Sequence, residues 1–90
     1  MPACKCPKSI SESWNTRALE DIEKWLRKQI QIYSINEQIH IGEIARESRS
    51  IGTIEKSGNS RGVRYLLEKL RKEGLVDYFD ANHFVVKEKK

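Results

Sequence analysis

The strongest structural pattern in this sequence lies in Ser57-Gly58-Asn59-Ser60-Arg61-Gly62-Val63-Arg64-Tyr65-Leu66-Leu67-Glu68-Lys69-Leu70-Arg71-Lys72-Glu73-Gly74-Leu75-Val76. Its apolar residues recur at i, i+3, i+4 and i+7, the spacing of a helix with one face on the core. These residues are Val63, Leu66, Leu67 and Leu70. A serine or asparagine among residues 57, 59 and 60 is the expected N-cap, and Gly74 is the expected C′ glycine. The stretch therefore predicts one capped amphipathic helix that leads directly into a strand.

The outer face of this helix is strongly basic. Residues 56–72 hold six Lys or Arg side chains and one acid, a local balance of +5 in a chain whose net charge is +4. The side opposite the leucines carries Arg61, Tyr65, Glu68 and Lys72, with Arg64 on its flank. A cationic helix face with an aromatic residue suits the major groove of DNA, which is about 12 Å wide and admits one helix. An ordinary solvated helix face is the alternative.

Composition limits the other functions. A chain of 90 residues forms one domain with a single modest core, so a large substrate cavity is not expected. No apolar run approaches the roughly 20 residues of a membrane span, and no secretory signal is evident. We expect a cytoplasmic protein that does not associate with membranes, and its pI near 9.2 favours polyanionic partners.

The remaining segments predict two more helices, a short strand and a hairpin. The first helix is expected from Ser13 to Ile32, with a buried stripe made of Ala18, Leu19, Ile22, Trp25, Leu26 and Ile30. A strand at residues 38–40 and a second helix at residues 41–48 follow. Residues 49–57 form a polar connection from which Ile51 and Ile54 are expected to reach the core. Residues 75–87 read as a hairpin that turns at Asp80-Ala81-Asn82.

This order predicts a mainly α, α+β domain at residues 13–88, with three helices and a small β-hairpin, after a flexible N-terminal tail at residues 1–12. Parts of the sequence also resemble the winged helix-turn-helix family of bacterial and archaeal transcription regulators. Ile41-Gly42-Glu43-Ile44-Ala45-Arg46-Glu47 is similar to the start of that family's second helix. Residues 63–76 are similar to its third, DNA-reading helix and the entry to its wing. Two features depart from the pattern: the connection between these helices is long, and the wing tip carries Asp80 where many wings carry Arg or Lys.

The resemblance implies a transcription regulator that binds double-stranded DNA in a sequence-specific or semi-specific manner, with a homodimer as the expected assembly. Base edges would be met near the start of the third helix, and phosphates by arginines of the second helix and by polar residues at the helix start. The candidate DNA-binding residues are Arg46, Arg49, Ser57, Asn59, Ser60, Arg61, Arg64, Tyr65 and Lys72. Helix capping is the alternative role of the two serines and the asparagine. Two rival functions remain open, a winged-helix adaptor that binds protein and a winged helix that binds RNA or the ribosome.

No catalytic, metal or cofactor site is predicted. The pair Cys4 and Cys6 supplies two soft ligands where a closed zinc site needs four. His40 and His83 are possible additional ligands, but nothing in their spacing brings them together. A reduced tail, an intermolecular disulfide and a metal site shared by a dimer are the alternatives for the cysteines. No nucleophile lies in a recognisable turn, and residues 58–62 lack the Gly-Lys-Ser/Thr of a phosphate-binding loop. We therefore expect neither enzyme activity nor a small-molecule ligand.

Overall fold

Three helices and three short strands lie along residues 13–88, which are the residues that the computed structural model describes. The order is α1 (Thr16–Ile32), β1 (Gln38–His40), α2 (Ile41–Ser48), α3 (Ser60–Lys72), β2 (Val76–Tyr78) and β3 (His83–Val86). The strands form one antiparallel sheet in the order β1-β3-β2. The chain is thus an α+β domain of three helices and a small sheet. The expected N-terminal tail, with Cys4 and Cys6, lies outside the described residues.

Helix α1 begins at Thr16, three residues later than the sequence predicts. Asn15 is the N-cap, and its Oδ1 accepts hydrogen bonds from the backbone N–H groups of Arg17 at 3.1 Å and Ala18 at 3.2 Å. The helix ends at Ile32 as predicted. Five of the six residues predicted for its buried stripe are buried. The sixth, Trp25, is only partly buried against the core.

The sheet joins β1, which lies between α1 and α2, to the hairpin that follows α3. Strand β1 was predicted, but its partner was not: Ile39 lies opposite Phe84 in β3, 45 positions further along. Asn36 takes a left-handed turn conformation with φ of 67° just before β1. One face of the sheet, which includes Ile39, Val76, Phe84 and Val86, is buried against the helices.

Helices α2 and α3 are joined by an irregular connection that packs closely on both of them. Ile54 from this connection is buried as predicted, whereas Ile51 is 39% exposed, so its expected place in the core was wrong. Ile54 packs directly on Gly62, where a Cβ atom would collide with the Ile54 side chain. The connection therefore fixes where the first turn of α3 lies.

The C-terminal end of α3 is the predicted glycine stop. Gly74 has φ of +85°, a conformation that glycine adopts without strain. The backbone N–H of Leu75 donates to the carbonyl of Leu70 at 3.1 Å, and the chain continues into β2. No helix within residues 13–88 is both long enough and apolar enough to cross a bilayer.

Candidate functional site

An open depression of about 180 Å³ lies between the outer side of α2 and the start of α3. It is lined by Gly42, Ala45, Arg46, Arg49, Ser57, Gly58, Asn59 and Ser60. Five of the nine candidate residues predicted from the sequence therefore meet at one place, although they come from two segments of the chain. Apart from Ala45 and the two glycines, the residues that line this depression are polar or cationic, and no acid is among them.

Arg46 in α2 and Arg49 at its C-cap line the depression because the opposite face of the helix is buried in the core. Ile41, Ile44, Ala45 and Ser48 are buried. Arg46 and Arg49 lie three residues apart on the exposed side, as neighbours on one helix face do. Neither guanidinium forms an ion pair with any acid of residues 13–88. Both positive charges are therefore available to an anion.

The first turn of α3 differs from the first turns of α1 and α2. Asn15 caps α1 through its side chain, and His40 caps α2 by accepting from the backbone N–H of Glu43 at 3.3 Å. Asn59, the N-cap residue of α3, makes no such bond, and the first turn of α3, like that of α1 but unlike that of α2, contains no acid. The positive end of the α3 dipole consequently faces the depression without a negative side chain from its own first turn.

Asn59 is not a ligand-facing residue, and here the sequence-based assignment was wrong. Its side chain is 2% exposed. Its Oδ1 accepts from the backbone N–H of Ile54 at 2.8 Å, and its Nδ2 donates to Ser48 Oγ at 2.8 Å and to the Gly52 carbonyl at 2.9 Å. Asn59 therefore holds the connection against α2 through its buried side chain. Ser57 and Ser60 remain exposed at the rim.

Arg61 extends from the first turn of α3 with its side chain 60% exposed. Its Nη1 lies 3.8 Å from Oε2 of Glu55, a carboxylate whose side chain is 9% exposed. The same Oε2 accepts the indole N–H of the buried Trp14 at 3.0 Å. Arg61 is thus an accessible cation that stands beside a fixed negative charge.

Arg64 and Tyr65 are engaged more closely with the protein than the helical pattern indicates. Arg64 Nη1 donates to the carbonyl of Ala81 at 2.8 Å, which ties α3 to the tip of the hairpin. Tyr65 is partly buried, and its ring meets Trp14 edge-on with 5.8 Å between centroids. Tyr65 lies opposite the leucines of α3 as the helical spacing predicts, but it is less exposed than expected because the ring of Trp14, two residues before α1, contacts it.

Two of the basic side chains in the C-terminal half of α3 form ion pairs within the protein. Lys69 pairs with Glu23 of α1 at 3.0 Å, and Arg71 pairs with Glu68 at 2.6 Å. Arg71 lowers the pKa of the Glu68 carboxyl by hydrogen bonding and by its charge. Lys72 is exposed but does not line the depression, since it lies about 18 Å along the helix axis from the first turn. Fewer positive charges are therefore available to a ligand than the local balance of +5 indicates.

Glu55 and Gly42 are the residues of this region that sequence reasoning missed. Glu55 is the one acid between Arg49 and Arg64, so its isolation in a basic segment was a usable signal. Gly42 lines the depression and packs under the His40 ring, where a Cβ atom would lie 2.9 Å from a ring carbon. That contact had no signal in the sequence, because it depends on how β1 enters α2.

The two histidines meet on the sheet, which their spacing in the sequence did not indicate, because His40 of β1 lies opposite His83 of β3. The rings of His40 and His83 meet edge-on at 4.9 Å, and His83 Nδ1 lies 3.0 Å from Asp80 Oδ1. Hydrogen bonds from His83 and from the backbone N–H of Asn82 lower the pKa of Asp80. No group of three or more potential ligands that could hold a metal ion occurs among residues 13–88.

Comparison of the chain with protein-family models, with characterised proteins and with solved structures gives no match.

Proposed function

We propose that this chain is a winged helix-turn-helix protein that binds double-stranded DNA as a transcription regulator. The observation that carries the proposal is the depression, where Arg46 and Arg49 meet the uncapped start of α3. Two unpaired guanidinium groups beside the positive end of a helix form a site for an anion with several oxygen atoms. A phosphate of the DNA backbone has that chemistry.

A phosphate in the depression would place the first turns of α3 next to a groove. Arg61 projects from there into solvent, and an arginine can bind the O6 and N7 atoms of guanine with two hydrogen bonds. Ser57 and Ser60 at the rim can donate to neighbouring phosphates. In this arrangement the α2 arginines fix position and Arg61 reads sequence.

The hairpin takes the place of the wing in this proposal. The bond from Arg64 to Ala81 holds the hairpin tip next to the N-terminal half of α3, so helix and tip would approach DNA together. As a homodimer, the protein would present two α3 helices to major grooves about 34 Å apart on a pseudo-palindromic site. The acidic Asp80 at the tip leaves most of the phosphate contact to α2 and α3.

Salt-dependent binding to a duplex tests this proposal. We expect the logarithm of the binding constant for a mixed-sequence duplex to fall against the logarithm of salt concentration with a slope of about −4, which corresponds to four to five phosphate contacts. Arg46→Ala/Arg49→Ala should reduce the magnitude of that slope by about 2, because each lost contact removes about 0.9.

Lys24→Ala/Lys28→Ala is the matched control, because it removes two exposed positive charges from α1 instead. It should leave the slope close to that of the unmodified protein. Equal losses in the two double variants would show that net charge, and not the depression, binds DNA. Stronger binding to structured RNA than to duplex DNA would instead favour the RNA alternative.

A protein-binding adaptor is the second candidate, and one observation favours it. Ile32 and Ile35 are 71% and 48% exposed, close together in the chain at the end of α1 and in the connector that follows. Neither lines the depression. If the adaptor function holds, Ile32→Ser/Ile35→Ser should abolish capture of a protein partner, while Arg46→Ala/Arg49→Ala should leave that capture intact.

A further inference from the structure

Glu55 is an acid beside Arg61, one of the residues that would face a polyanion. Its backbone is held on both sides: the Ile54 carbonyl accepts from Asn15 N–H at 2.7 Å, and the Glu55 carbonyl accepts from Gly58 N–H at 3.0 Å. Its side chain, 9% exposed, is fixed further by the indole of Trp14. Its charge therefore has a set position between the starts of α1 and α3.

The carboxylate faces one side chain of the proposed DNA surface. Arg61 Nη1 lies 3.8 Å away, close enough for charge attraction but beyond an ordinary hydrogen bond. Most of the Arg61 side chain is in solvent. The pairing thus restrains the direction of the guanidinium without burying it.

We propose that Glu55 is a positioning residue that directs Arg61 towards base edges and limits its binding to phosphates. The proposal rests on the DNA-binding function proposed above. When a phosphate binds Arg61, the guanidinium loses part of its attraction to Glu55 and the phosphate comes near a second negative charge. A guanine that receives Arg61 in its held direction adds no negative charge. Glu55 therefore lowers affinity for DNA in general and increases discrimination between sequences, which is how unfavourable groups produce specificity.

Glu55→Gln isolates the charge. The glutamine amide oxygen can still accept the Trp14 N–H, so the indole keeps its partner. We expect this variant to bind a mixed-sequence duplex of about two helical turns about two- to fivefold more tightly, the range that a solvent-accessible ion pair supports. Fluorescence anisotropy over a salt series measures this affinity, and thermal unfolding checks that the fold is retained.

The same substitution in an Arg61→Ala background separates positioning from simple charge. There the gain should vanish, because no guanidinium remains for Glu55 to restrain. Glu20→Gln is the charge control, since it removes one exposed acid from the outer face of α1, and it should not reproduce the gain. Glu55→Asp keeps the charge but withdraws it from Arg61. It should increase the affinity for the duplex less than Glu55→Gln does. If the glutamine variant does not fold, Glu55→Asp takes its place in the same measurement.

The outcomes distinguish this inference from the proposed function. A gain that persists in the Arg61→Ala background, or no gain in a folded variant, overturns the role of Glu55 even when Arg46→Ala/Arg49→Ala weakens DNA binding. Absence of salt-dependent DNA binding by the unmodified protein overturns both. A gain that depends on Arg61, with the expected loss in the Arg46→Ala/Arg49→Ala variant, supports both.

Discussion

Replacement of Asn59 by alanine tests whether this residue supports the fold or binds a ligand. The change removes three hydrogen bonds, to the Ile54 N–H, the Ser48 hydroxyl and the Gly52 carbonyl. Each is worth about 1 kcal/mol net, and the buried Ile54 N–H is left without its acceptor, so the free energy of unfolding should fall by about 3 kcal/mol. For a domain of this size the midpoint of thermal unfolding should fall by about 15 °C.

Urea unfolding followed by tryptophan fluorescence measures the loss, with Ser57→Ala as the control. Ser57 is an exposed neighbour, and its replacement should change stability by less than about 0.5 kcal/mol. Below its unfolding transition, Asn59→Ala should bind DNA as the unmodified protein does. Unchanged stability with strongly reduced DNA affinity would instead show that Asn59 contacts a ligand and does not support the fold.

Two further predictions concern packing and pH. Gly62→Ala gains helix propensity of up to about 1 kcal/mol but collides with Ile54, so we expect a net destabilisation of about 1 kcal/mol in urea unfolding. Ile54→Val should make the same change less harmful, and a more stable Gly62→Ala would contradict the close packing. Partial burial, followed by the nearby charges of Glu47, Glu37 and Glu43, raises the pKa of Tyr33 above its ordinary 10.0. The folded state holds this proton more tightly, so stability should decline as the pH rises above 10.0, and Tyr33→Phe should flatten that decline in a pH series of urea unfolding.

The sequence was sufficient for the elements with strong local patterns. The leucine spacing and Gly74 predicted α3 and its end, and the bounds of α2 were also correct. These features depend on contacts within one or two helical turns, which sequence spacing records. The strand at residues 38–40 and the hairpin of β2 and β3 were also predicted, but the pairing of β1 with β3 was missed, because these strands are far apart in the sequence and no local pattern reveals their contact.

Side chains near the start of α3 show the same limit at the candidate site. Helical spacing assigned Tyr65 to the outer face of α3, but it could not show that the Trp14 ring would contact Tyr65 there and partly bury it. Asn59 has the residue type of a cap, yet the path of the long connection turns its amide inward. Arg46 and Arg49 are exposed because α2 has one clear apolar face, which a sequence pattern does reveal, whereas their contact with DNA stays a prediction.

The most direct test of the central proposal is an amide NMR titration of the ¹⁵N-labelled protein with duplex DNA. We expect the largest shift changes at residues 42–49 and 57–61, which surround the depression, and in the hairpin tip near Ala81. Amides at the end of α1, beside Ile32 and Ile35, should change little. Changes concentrated at Ile32 and Ile35, or none at any DNA concentration, would contradict the proposal that α2 and the start of α3 form a DNA-binding surface.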